Sequence, residues 1–536
     1  MLKLVVFVLC IFWSLSNVQG NPASDLNYTI KFNKSQSQCL EIEALLPTDK
    51  NGDLLINIPS KGVSSLNIEP TFNRAEDVAS YVKRFSFQKQ MQINVSYQLC
   101  MVNEASSIDL PIIESNYLQL LSMNSFVLPL DNLDERKVIN INLQDMPEHF
   151  TYINSFGLVK TKKIEIKSTI NEFVTFVLAG VKGSPSAFQS GNSIIYGVSN
   201  NPKKAFSKDQ KKNLKNIVSF QKILMGDKSK DPLILSFAFA PAASQFLGRH
   251  FTNTVSISIP NQKSDEIIMR IFAHEYFHRW LGLQLVGGKH FDELLWFVEG
   301  IDDYVGLKSA YEVGAVSFQG YLNGINENLM EHYLSPLRSS SYKDLYSIHL
   351  TDVQHHKTTQ IRGHLASIAL QGNKRISLKG DPIIAILKKL LSSIEGKYKM
   401  LTPEIVDAEF KNTLEIQEWI KFKKFVDTGE DLDLPSELGN GRAKLVKKKV
   451  LAADYGFDLD VFFKQHKIKN LKSNTPEYKS GLRENMDVLN YTISLHDPNK
   501  KVTIYVNAEG RAKPIEFVPG TKYELIPQYV SQKIKK

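Results

Sequence analysis

Two hydrophobic periods divide this chain, and no single sheet or helical bundle accommodates both. From about Asp25 to Leu158 apolar residues recur at every second position. Met91, Ile93, Val95, Tyr97 and Leu99 share one parity, and Gln92, Asn94, Ser96, Gln98 and Cys100 the other. That period belongs to half-buried strands. Runs such as Leu54–Ile58, Gln88–Met101 and Val138–Leu143 are separated by Pro, Gly, Asn and Asp clusters, which predicts an N-terminal β-sandwich. From about Lys160 to residue 440, strands alternate with helix-length patterns. Beyond the turn-rich segment Asp431–Arg442 and the run Lys447-Lys448-Lys449, short strands such as Lys501–Val506 return. The expected fold class is therefore multidomain α+β, with a β-sandwich over 21–160, a mainly helical domain over 161–440 and a small β domain over 441–536. A chain of 536 residues has room for several domains of ~100–200 residues each.

Residues 1–20 read as an address. Lys3 precedes Leu4–Leu15, apolar except for Ser14, and Val18-Gln19-Gly20 comes next. The run is too short for a membrane-spanning helix and suits the core of a secretory signal, placing the mature start at Asn21 and the product in a secreted or periplasmic compartment. No later run is long and apolar enough to predict a membrane span. The chain carries 65 basic and 56 acidic residues, formally +9, a bias too mild to argue for nucleic acid. Lys203, Lys204 and the cluster Lys208–Lys215 read as a solvated loop and helix face. Three cysteines exclude a disulfide-dense scaffold. Cys10 lies in the leader; Cys39 and Cys100 lie on predicted strands, as a disulfide or as two unpaired thiols.

The chemistry concentrates in His274-Glu275-Tyr276-Phe277-His278. Ser264 reads as the N-cap of a helix whose first turn carries Asp265 and Glu266, with Ile267, Ile268, Ile271 and Phe272 as its buried stripe. His274 and His278 are four residues apart, so both imidazoles leave one face and can grip one zinc ion. Glu275, rotated by about 100°, can reach a metal-bound water without being a ligand. A zinc hydrolase needs a third protein ligand and an open fourth position. Glu299, with twenty residues between it and His278, supplies the ligand from the apolar stretch Leu294–Gly300. Asp303, one turn further, is placed to accept the second ring N–H of a ligand histidine.

His-Glu-x-x-His followed by Glu-x-x-x-Asp resembles the gluzincin peptidases. The runs Phe277-His278-Arg279-Trp280 and Trp296–Tyr304 are most similar to the PDZ-containing glycyl aminopeptidase family, and more distantly to aminopeptidase N and leukotriene hydrolase. The resemblance implies a thermolysin-like catalytic domain over 161–440, one zinc per chain, and peptide or protein substrates. It also implies Glu275 as general base. Ser480–Asn485 resembles the Ala-Gly-Leu-x-x-Gly run of bacterial PDZ domains, which leaves 441–536 either PDZ-like or an unrelated small β domain.

Two departures from the family bear on specificity. The stretch Leu247-Gly248-Arg249-His250 matches the family's Gly-Leu-Glu-His, so His250 is kept while an acid becomes Arg249. In aminopeptidase N the counterpart acid helps bind the substrate's amino group; a cation there would repel it and attract a carboxylate. The second departure is Gln360-Ile361-Arg362-Gly363, which stands where relatives carry Tyr-x-Lys-Gly. Gln360, or His355 and His356 nearby, replaces the tyrosine that donates to the oxyanion. The expected function is an exported zinc metallopeptidase of aminopeptidase ancestry, exo- or endo-acting. The alternative is a weakly active or inactive peptide-binding protein on the same fold.

Overall fold

The computed structural model describes residues 25–532 apart from 34, 103–107, 241–246, 261–263, 283–287, 349–351, 373–376, 395–399 and 431, so the segment expected to be a secretory signal, with Cys10, lies outside the described residues. The architecture is α+β with several separate sheets. The chain divides after Arg279 into two compact units.

In the first unit the alternating pattern forms sheets. Strands β1 (Leu26–Phe32), β2 (Cys39–Pro47), β3 (Gln92–Cys100) and β4 (Lys137–Gln144) occupy the middle of a six-stranded sheet in the order β4-β1-β2-β3. Ile93, Val95, Tyr97 and Leu99 are buried, as their parity predicts. They stand opposite Leu46, Ala44, Ile42 and Leu40, so each apolar residue meets another across the ladder. The same register sets Cys39 opposite Cys100, and a disulfide joins them.

A second sheet of this unit supports the site. Strands β5 (Ser186–Ser190), β6 (Ser193–Ser199), β7 (Leu233–Phe239), β8 (Leu247–Phe251) and β9 (Thr254–Ile259) lie in the order β5-β6-β7-β9-β8. The central three are parallel; the flanking β5 and β8 run antiparallel to their neighbours. The alternation of β9 suggests one wet face, yet Thr254, Ser256 and Ser258 are as buried as Val255, Ile257 and Ile259. On the polar side a hydroxyl network takes the place of water. Tyr117 Oη lies 2.5 Å from Ser236 Oγ and donates to Gln119 Oε1 at 2.7 Å, meeting the rule that buried polar groups find partners.

Helix α1 (Lys208–Met225) begins in a capping box made by Ser207 and Gln210. Its lysines at 208, 212 and 215 are exposed, while Leu214, Ile217 and Val218 are buried. Helix α2 (Asp265–Phe277) lies beside it, tied by Gln221 Nε2 donating to the Ala273 carbonyl at 2.9 Å.

The second unit starts with helices. A π-helical turn, Trp296–Gly300, runs into α3 (Ile301–Glu312), followed by α4 (Phe318–Leu334), α5 (Val353–Gln371), α6 (Pro403–Thr413) and α7 (Ile416–Thr428). Then come the β10 (Ala443–Asp454) and β11 (Gly520–Ser531) ribbon and a three-stranded meander of Val488–Thr492, Val502–Ala508 and Arg511–Phe517. Part of the turn-rich segment before β10 is itself paired: Leu438 stands opposite Ala443 across a turn in which Gly439, Asn440 and Gly441 all have positive φ. Leu337 and Leu345 share one apolar core with Phe462, Leu482, Val502 and Ile504. No helix among the described residues is long and apolar enough to cross a membrane.

Candidate metal centre

Helix α2 presents the His-Glu-x-x-His segment from a well-buried base. Ser264 takes the N-cap position, but its hydroxyl accepts no capping hydrogen bond; Ser264 contributes only its carbonyl, to Ile268 N. The buried stripe is also shifted from the expected one. Ile268, Met269, Phe272, Ala273 and Tyr276 are buried and Ile267 is 41% exposed, because a stripe 3.6 residues in period that includes Ile268 and Phe272 turns Ile267 outward. The rings of His274 and His278 lie 4.8 Å apart at 85°.

His274, His278 and Glu299 each offer one ligand atom, and these atoms lie within 4.8 Å of one another. Two imidazole nitrogens and one carboxylate oxygen form the donor set of a catalytic zinc, which binds such groups at ~2.0–2.2 Å. The residues fit that ion. Glu275 is 8% exposed on the same helix. The backbone of β8 runs directly against it: a Cβ on Gly248 would stand 2.4 Å from Glu275 Oε1 and 2.7 Å from Ile271 Cγ2. Only glycine lets the strand approach the carboxylate this closely, a requirement that the sequence pattern does not reveal.

Glu299 is held by an unusual helix. It sits in the π turn, a geometry with one extra residue that recurs at functional sites. Trp296, Phe297, Val298 and Gly300 around it are buried, Trp296 and Phe297 edge-on to Phe410 of α6. Helix α5 crosses the turn with no side chains between the backbones. A Cβ on Gly363 would lie 1.9 Å from the Trp296 carbonyl oxygen, and one on Gly300 2.6 Å from Gly363 Cα. Both obstacles are backbone, which no rotamer change relieves. Gly363→Ala should therefore force the two helices apart, destabilise the protein by about 1–3 kcal/mol or more, and reduce bound zinc. Thermal melting and metal analysis read both effects; parental values for both would show that the contact is not needed.

Of the other residues singled out in the sequence, Asp303 has its Oδ2 2.7 Å from the Nδ1 of His364, which is neither of the expected ligand histidines, and accepts from Asn328 Nδ2 at 3.0 Å. His364, wholly buried on α5, carried no signal in the sequence. His250 lies on the α2 side of its strand, its ring 6.4 Å from that of His278; burial, with His278 and Arg279 beside it, pushes its pKa down to about 3. Alternation along β8 sends Arg249 to the other side, where its Nε lies 3.4 Å from Asp109 Oδ1. Gln360 is half-buried on α5, its carbonyl against Gly300. Its neighbour Arg362 is fully buried and donates to the carbonyls of Val426, Arg338 and Ser340. His355 Nδ1 lies 2.9 Å from Asp352 Oδ1 at the start of α5.

Arg279 has a role the spacing did not suggest. Directly after His278, its guanidinium donates to Asp227, Asn253, Ser229 and Asp231 at 3.0, 2.7, 2.9 and 2.6 Å. It fastens the end of α2 to the turn before β7 and the turn between β8 and β9.

Residues 268–362 match the family model described as M61 glycyl aminopeptidase. The matched segment holds His274, Glu275, His278, Glu299 and Asp303. Among solved structures, the chain is similar to an aminopeptidase N family protein from Idiomarina loihiensis, at 13% identity and a TM-score of 0.66, over 93% of this chain and 98% of that one. It is also similar to an M1 zinc metallopeptidase from Deinococcus radiodurans, at 13% identity and a TM-score of 0.48, over 77% of this chain and 95% of that one. Identities this low make the Idiomarina likeness one of fold. No curated protein sequence matches the chain.

Proposed function

We propose that the protein is an exported zinc metallopeptidase that cuts peptide bonds with Glu275 as general base. The convergence of His274, His278 and Glu299 within 4.8 Å carries this reading, with Glu275 on the helix that bears both histidines. When bound, zinc polarises the scissile carbonyl and lowers the pKa of the attacking water. The carboxylate of Glu275 takes a proton from that water as it attacks and returns it to the departing amine. Asp303 supports the ligand shell, and Gln360 is the side chain proposed to donate to the oxyanion. The Cys39–Cys100 disulfide supports export, since such bonds persist in oxidising compartments. The left-handed Gly481 followed by buried Leu482 supports a PDZ-like reading of the C-terminal β domain.

Specificity rests on β8. The acid that would hold a free amine is absent from position 249, and the arginine there shares its charge with Asp109. Without that anchor the register of cleavage is not tied to the substrate's N-terminus. Peptides blocked by N-acetylation should be cut at least as well as free ones. Sequencing the products of a random peptide pool checks this. Release of single N-terminal residues alone, with blocked peptides untouched, would show that another group binds the amine. No turnover with zinc supplied would favour the peptide-binding alternative.

A further inference from the structure

The formal excess charge of the whole chain, +9, equals that of residues 441–536 alone, which hold 19 Lys and Arg against 10 Asp and Glu. Within this region the β10–β11 ribbon orders part of that charge on one surface. Its register pairs Lys447 with Pro527, Lys449 with Leu525 and Leu451 with Tyr523. Opposite residues of an antiparallel pair share a face, so these six lie together. Tyr523 and Leu525 are each 63% exposed and Leu451 38%. Lys449 Nζ sits 4.5 Å above the Tyr523 ring. No carboxylate lies on this face between Leu445 and Leu451 or between Tyr523 and Tyr529. Glu524 is on the other face, 3.0 Å from Lys522. At the base of the ribbon, Tyr529 is buried, and its backbone N–H and carbonyl are both bonded to Asn326 of α4.

We propose that this face docks on the surface of an anionic phospholipid bilayer, holding the protein there peripherally. The chemistry is that of a membrane interface. Lysines are drawn to the negative potential of an anionic leaflet, while tyrosine and leucine bury apolar surface at the headgroup boundary. Half-exposed leucines are costly in water but fit that boundary. A second copy of the chain fits poorly, because a two-fold contact through this face would bring together two surfaces that both carry lysines and no carboxylate.

Flotation of the purified full chain with vesicles tests the proposal. The chain should float with phosphatidylglycerol–phosphatidylcholine vesicles at low salt, be released by high salt, and ignore pure phosphatidylcholine. The double variant K447E/K449E should lower the bound fraction at least tenfold. The variant Y523S/L525S should lower it severalfold at unchanged charge, and both should melt with the parent because all four side chains are exposed. Absence of binding to anionic vesicles would overturn the proposal. So would equal binding to both lipids, or variants that bind like the parent. Binding to polyglutamate without binding to vesicles would overturn it in favour of an acidic protein partner.

Discussion

Glu275→Gln should leave a folded, zinc-loaded protein that turns over peptides about 10²–10⁴-fold more slowly. The amide keeps the shape of the carboxylate, and the close fit against Gly248 leaves the helix undisturbed. It cannot accept the proton of the attacking water, so the loss falls on kcat, while substrate binding persists. Metal analysis and steady-state kinetics on one preparation read both halves. Equal rates in variant and parent would remove Glu275 from the mechanism.

The largest effect is expected from His278→Ala. Two remaining ligands cannot hold a zinc ion in a site built for three, so metal and activity should vanish together, and zinc in excess should not restore them. The parent should carry one zinc per chain, lose activity to a chelator and recover it on zinc addition. A well-folded parent that stays metal-free after zinc is supplied would sink the site. The structural change should be small, because His278 is partly exposed and α2 is still fastened by Arg279 to Asp227 and Asp231.

The legible part of the sequence was its periodicity and its fixed spacings. The parity of β3 and its partner strand gave the buried faces, and the four-residue interval put His274 and His278 together. Glu299 stood out because a zinc hydrolase needs a third protein ligand and this acid lies amid Phe297, Val298 and Ile301. Features that depend on backbone approach were not legible. Gly248, Gly300 and Gly363 matter through the atoms a Cβ would strike, which requires two distant segments to be in place. The exposure of Ile267 and the burial of Ser256 failed for a related reason. A one-dimensional pattern shows which residues share a side, while the packed neighbours determine which side is dry. Arg249 could be matched to a family position, but its pairing with Asp109 joins residues far apart in the chain.

The π turn at Trp296–Gly300 has a consequence for how this enzyme tolerates change in chain length. A π turn holds one residue more than the α-helix would need. Removing any single residue from Trp296, Phe297 or Val298 would let the segment relax to regular winding and would not open a break. The helix would survive, and with it the Glu299–Asp303 interval. Because the extra residue is the one that the wide turn absorbs, Leu294 and Leu295 before it and Glu299 after it would keep the faces they now present. The turn is therefore a point of slack, where the chain can shorten by one residue and still aim the same carboxylate at the two histidines.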